Sequence, residues 1–282
     1  MPLQPVFLGA MGAIQYVSVT ALSSPPLPDS IYSPVVVSHL AFALRGHPDR
    51  QLVAYLLRGF THGFDLGFRG VFTEPDSRPR NLASARPHRE LLDAAIRTEV
   101  ERGHTAGPFS VPPFSITHCS PIGAVPKPDG SIRVIFDLSS PRGNAVNEHI
   151  SQEEYSCSYA SLDEAVRLVA SHGVGAFMGK LDIRHAFRLC PVRRELWPLL
   201  CFQWEGGFYV DMVLPFGGRS SPAIFNDFAD ALAWIFMFFG GIAALIHYLD
   251  DYFWVCGSAS ACQEALDAIT TICEFLGVPF SS

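Results

Sequence analysis

The sequence predicts an α+β fold, with antiparallel hairpins and helices between them. Three observations lead there. Short apolar, β-prone runs meet at turn residues around Asp129-Gly130 and around Asp250-Asp251. Stretches of helical period, each with its own start or stop signal, lie between those runs. At 282 residues and 49% hydrophobic content, the chain can bury one large core or two smaller ones.

Composition excludes several classes. Seven cysteines with no Cys-x-x-Cys pair support neither a disulfide framework nor a zinc ribbon, so a reducing, intracellular setting (cytoplasm or nucleus) is expected. The net charge of −7 argues against a nucleic-acid partner until its distribution is read. Seven of the 27 acids follow Ser220, where there is no Lys or Arg, and the other 20 acids balance 20 bases in residues 1–219. Acidity local to the end that carries Asp250-Asp251 suits a cation site, and the neutral remainder leaves room for a basic groove. Val6 to Ser24 is apolar but lacks a basic start, which argues against a secretory signal. Ala231 to Leu249 has no formal charge, yet Gly240-Gly241 breaks it and no Lys or Arg flanks it. A buried helix, a Gly-Gly break and a buried strand are expected there, with no membrane partner.

Taken in order, residues 1–86 form an N-terminal extension whose role the sequence does not indicate. Pro-rich patches (Ser23 to Pro28 and Glu74 to Arg80) bracket a helix over Asp49–Gly59, with Leu52, Tyr55, Leu56 and Phe60 on one side. A second domain is expected over 87–282. Its first helix, His88 to Gly103, repeats Leu92, Ile96 and Val100 and stops at glycine. Gly107 to Pro113 is expected as a Pro-rich connector. The Asp129-Gly130 hairpin follows, with Lys127 at the tip and Arg133 on the returning arm. Ser161 and Glu164 form a capping box for a helix that should bury Leu162, Val166 and Val169 and end at Gly173. Ala176 to Ile183 is a strand with Asp182 near its end, and Phe208 to Val213 is another. Ser221 as cap and Pro222 in the first turn start a helix burying Phe225, Phe228, Leu232 and Ile235. The Gly217-Gly218-Arg219 loop before it is a candidate anion seat.

Ile246 to Val255 organises the rest. Two adjacent carboxylates sit between apolar arms, and a two-residue hairpin loop favours residues that accept φ > 0. Asp250 and Asp251 also repel each other, and a bound cation would relieve that repulsion. An Asp pair alone is often a solvated turn, but Asp182 supplies a third carboxylate. Carboxylates holding cations that also touch phosphates are what two-metal phosphoryl chemistry requires.

From Gly107 onward the chain resembles reverse transcriptases. Val125-Pro-Lys127-Pro-Asp-Gly-Ser-Ile-Arg133-Val-Ile-Phe-Asp137 is similar to that family's fingers hairpin. Leu181-Asp182-Ile-Arg-His-Ala-Phe187 is similar to its first catalytic motif. Leu214-Pro-Phe-Gly217-Gly-Arg-Ser-Ser-Pro222 is similar to its template- and nucleotide-positioning motif, and Tyr248-Leu-Asp-Asp251 to its Tyr-x-Asp-Asp box. Within the family the likeness is to DIRS-type tyrosine-recombinase retrotransposons, carried by Ala41–Arg50, Asp137–Gly143, His185–Val192 and Phe228–Trp234.

The resemblance implies a right-hand polymerase's fingers and palm, with the thumb missing. It implies RNA-directed DNA synthesis from deoxynucleoside triphosphates on an RNA or DNA template and primer. Asp182, Asp250 and Asp251 would be catalytic and would bind two Mg²⁺ (Mn²⁺ as substitute), assisted by the carbonyl of Ile183. Lys127 and Arg133 would hold the nucleotide's phosphates, and Phe187 would lie against its sugar and clash with a 2′-hydroxyl. Phe216 and Gly217 would shape the pocket, with Arg219 nearby. Two other readings compete: a non-catalytic remnant that binds nucleic acid or a partner, and an RNA-dependent RNA polymerase, which Phe187 disfavours. His185 and His247, beside the motifs, are expected to be packed or hydrogen-bonded rather than catalytic.

Overall fold

A computed structural model describes residues 26–71, 79–128 and 130–281. Val6 to Ser24, most of the Glu74–Arg80 patch and the tip residue Asp129 lie outside the described residues. The order of elements is α1 (Val37–Ala43), α2 (Arg50–His62), α3 (Arg89–Glu101), β1 (Thr105–Phe109), β2 (Ile122–Pro126), β3 (Ile132–Phe136), α4 (Leu162–His172), β4 (Phe177–Ile183), β5 (Cys201–Trp204), β6 (Gly207–Asp211), α5 (Ser221–Gly240), β7 (Leu245–Tyr248), β8 (Asp251–Cys256), α6 (Ala259–Leu276) and β9 (Phe280–Ser281). These strands pair with one another antiparallel throughout. One sheet runs β7-β8-β4-β9, a second runs β1-β6-β5, and β2-β3 stands as a hairpin. This is the expected α+β architecture.

Helices α5 and α6 back the four-stranded sheet. Phe225, Phe228, Leu232 and Ile235 of α5 are all buried, as their spacing requires. Tyr252 and Trp254 project from β8 onto the same side, and the Tyr252 hydroxyl donates to the Ala229 carbonyl at 2.8 Å. Burying aromatics of this size contributes roughly 2–3 kcal/mol each. Trp254 fits because its cross-strand partner is Gly179, where any Cβ would strike the indole. By length and apolarity α5 resembles a membrane span, but it is the core helix of this sheet, and it ends where Gly241 turns left-handed before β7. The described part of residues 1–86 packs into the same core through Leu40, Leu56, Phe60 and Phe64.

Several expectations need correction. Gly107–Pro113 is not simply a connector, because Gly107 to Phe109 belong to β1. Pro108 conceals that strand in the sequence, and it is tolerated because β1 is an edge strand. β5 gives little local signal and is paired by a tight turn at Glu205-Gly206, both with positive φ. Ser220, not Ser221, precedes α5, and the Ser221 hydroxyl donates to the Pro215 carbonyl instead of capping. The capping box on α4 forms as read, but its apolar stripe does not bury, with Leu162 80% and Val166 57% exposed. Helical period shows that a face exists, but not that the fold supplies a partner for it.

Candidate active site

The end of the four-stranded sheet brings the three aspartates to one place. In the β4–β8 register Asp182 lies opposite Asp251, and the Ile183 amide donates to the Asp250 carbonyl at 2.9 Å. The two-residue loop of the hairpin is Leu249-Asp250, because Tyr248 already pairs with Asp251. The positive φ expected of the Asp pair therefore falls on Leu249, at +52°. A branched side chain held there marks local strain of the kind found at functional sites. His247 braces the turn, with its ring 2.8 Å from Asp230 Oδ1 and 3.2 Å from the Leu249 carbonyl oxygen. It is hydrogen-bonded, as expected.

Burial raises the Asp250 carboxyl above the usual range, and the charges of Asp182 and Asp251 push the same way while Arg133 opposes them. Among the described residues, none of the three aspartates is in an ion pair. The Ser281 hydroxyl donates to Asp182 Oδ2 at 2.8 Å. Among the described residues, no three carboxylate, imidazole or thiolate groups are gathered closely enough to hold an ion in these rotamers. The donor types nevertheless fit a hard divalent cation.

A cleft of about 430 Å³ opens over Asp182 and Asp250, while Asp251 is not among its lining residues. Asp182, Ile183 and Asp250 line its floor, and Lys127 and Arg133 of the β2–β3 hairpin line the facing wall. Phe216 joins that wall, with the Arg133 guanidinium carbon 5.7 Å from its ring centroid. Phe187 is not among the residues lining the cleft. It sits behind Phe216 at a centroid distance of 5.3 Å and against Phe225 at 5.6 Å. Gly217, at φ +118°, passes so close to the Phe136 carbonyl that no Cβ would fit. Arg219 is not among the residues lining this cleft, and its guanidinium donates to the Ile150 carbonyl at 2.9 Å.

The sequence reading missed several residues around this cleft. Asn147 pins the Gly217–Arg219 loop, donating to the Ser139 hydroxyl and the Gly217 carbonyl and accepting from the Arg219 amide. Tyr159 packs on Tyr248 at 4.9 Å. Arg188, Glu99 and Asp211 line the cleft as a buried ion network. No periodicity or motif marks them, since their partners lie 70 or so residues away or more in most cases.

A family model described as reverse transcriptase (RNA-dependent DNA polymerase) matches residues 125–282. The Pro-Pol polyprotein of simian foamy virus type 1 is 30% identical over 118 residues, which is 40% of this chain and 9% of the polyprotein. Among solved structures, the foamy viral protease-reverse transcriptase dRH in complex with double-stranded DNA superposes with a TM-score of 0.59 at 18% identity, covering 91% of this chain and 44% of that one. The foamy viral protease-reverse transcriptase in complex with an RNA/DNA hybrid gives 0.56 at 17%, covering 96% and 34%. At those identities the structural likeness is one of fold, and the chain spans less than half the length of each of these relatives.

Proposed function

Because the chain belongs to the reverse transcriptase family, we propose that it carries out template-directed nucleotidyl transfer, making DNA on an RNA template as part of a retroelement polyprotein. The observation that carries this reading is the cleft itself: Asp182 and Asp250 on its floor, Asp251 in register with Asp182, and Lys127 and Arg133 on the facing wall. The placement among DIRS-type elements belongs to the same proposal and rests on the four peptide stretches that carry that likeness.

Asp182, Asp250 and Asp251, with the Ile183 carbonyl, would hold two Mg²⁺ ions, which Mn²⁺ can replace. Those ions supply activation of the attacking oxygen and charge neutralisation at the leaving one. The chain's own residues position the reactants. Lys127 and Arg133 neutralise and orient the triphosphate, so that a primer 3′-hydroxyl can displace pyrophosphate from the α-phosphorus. Phe216 walls the base and sugar side, and Phe187 behind it limits the room for a 2′-hydroxyl. Little covalent work falls to side chains, so rate comes from placement and electrostatics. The bound double-stranded DNA and RNA/DNA hybrid of the structural relatives support a nucleic-acid partner here.

The test is primer extension on an RNA template with deoxynucleotides and Mg²⁺, beside Asp250→Asn. Extension lost in the variant supports the reading. Nucleic-acid binding with no extension, indifferent to Mg²⁺ and to Asp250→Asn, would favour the non-catalytic remnant. Preferential use of ribonucleotides would favour an RNA polymerase.

A further inference from the structure

Arg188 is buried, yet it directly follows Phe187 in a single 3₁₀ turn, Ala186–Leu189. The two side chains leave the turn in different directions. Phe187 meets Phe216 and Phe225. Arg188 grips Asp211 of β6 through both terminal nitrogens at 2.7 Å, and its Nε donates to Glu99 of α3 at 2.8 Å. One terminal nitrogen also reaches the Leu214 carbonyl at 3.4 Å, two residues before Phe216. His104 completes the group, with Nδ1 3.0 Å from Glu99 Oε2. A single guanidinium thus ties together the turn bearing Phe187, the segment bearing Phe216 and the wall of the cleft formed by α3 and β6.

Such an arrangement is costly unless each charge is met. The planar fork of Arg meets the Asp211 carboxylate in two parallel bonds and leaves Nε for a second carboxylate, a geometry Lys cannot reproduce. The apolar contacts of Phe187 define no unique depth for its ring, whereas the directional bonds of its neighbour define the turn.

We propose that Arg188, held by Asp211 and Glu99, is a positioning residue for sugar selection. It sets the depth of Phe187 relative to Phe216 and so the clearance left for a 2′-hydroxyl. This rests on the reading of Phe187, packed behind Phe216, as the group that limits the room at the sugar. Arg188 touches no reacting atom; it acts through its neighbour.

The experiment compares single incorporation of dGTP and GTP opposite a template cytosine by the full chain. Equilibrium binding of the two Mg²⁺-nucleotides serves as the readout if extension is too slow. Phe187→Ala is the reference and should relax the deoxy preference by about a hundredfold. Arg188→Lys and Glu99→Gln should relax it by about tenfold, with Phe187 untouched. Glu99→Gln is the safer variant, since Glu99 lies at the rim of the network and the change keeps its volume. Arg97→Gln, which removes only an exposed pair with Asp93, should leave the ratio unchanged. A folded Glu99→Gln chain with the full preference, beside a relaxed Phe187→Ala, would overturn this proposal and leave the role of Phe187 standing. An unchanged Phe187→Ala, or a wild type that binds both sugars alike or neither, would overturn both.

Discussion

Two groups of charge face the same cleft and treat that charge in opposite ways. In the Arg188–Asp211–Glu99 network each group is met by an opposite charge at 2.7–2.8 Å. At the β7–β8 turn, Asp182, Asp250 and Asp251 face one another, and Asp250 is raised by the repulsion as well as by burial. The first group has spent its charge on holding segments together. The second leaves its charge unmet, at a cost in stability, which is what the proposed cation site requires.

The sharpest way to break the contrast is Asp211→Ala. It leaves the buried guanidinium without its main partner and should cost about 3–5 kcal/mol in urea unfolding. A loss below 1 kcal/mol would mean the network is not structural.

Acid titration comes next. Burial alone would raise the Glu99 carboxyl, but the His104 hydrogen bond and the Arg188 charge overcome it and hold the group at about 2. Its folded value lies below its unfolded one, so its stabilisation is present above about pH 4.5 and is lost as pH falls towards 2. Unfolding free energy should drop by about 2–3 kcal/mol across that window on account of this group. Glu99→Gln should flatten the profile; an unchanged slope would count against the pairing.

Asp227, on α5 and away from the cleft lining, isolates the effect of unmet charge from that of the site. Burial, then Asp230 and Asp49, push its carboxyl up to about 6. Here the folded value is the higher one, so a penalty appears as pH rises from about 4 through 6. Asp227→Asn should stabilise the chain by about 1 kcal/mol at pH 8, after allowance for solvent screening of this half-buried group, and by nothing at pH 4. Equal melting curves at pH 8 would show the repulsion to be screened away.

The smallest effect tests the second charge group directly. Without metal, Asp250→Asn should raise the melting temperature by about 2 °C. Added Mg²⁺ should stabilise the wild type and not the variant. A variant that still gains stability from Mg²⁺ would place the cation elsewhere.

Much of the site was legible because its residues announce themselves locally. Apolar arms around Asp250-Asp251 specify a hairpin, and Lys127 and Arg133 flank a turn signal that forms as expected. Where reading failed, a non-local partner had decided the outcome. β1 exists because β6 pairs with it, in spite of Pro108. α4 lies against β8, yet Leu162 and Val166 of its apolar stripe stay exposed. Leu249 carries the positive φ because the Tyr248–Asp251 pairing moves the turn one residue earlier than the carboxylates suggest.

The sequence by itself determined most of the helices, the hairpins at Asp129-Gly130 and Asp250-Asp251, and the carboxylates and cations that are candidates for one site. Those follow from period, turn chemistry and charge, all of which act over a few residues. Only the tertiary structure decided that Arg188 joins Asp211 and Glu99, 23 and 89 residues away, or that Phe187 stands behind Phe216. Buried charges and rings take whichever partner the packed chain brings within reach, and no local pattern records that choice.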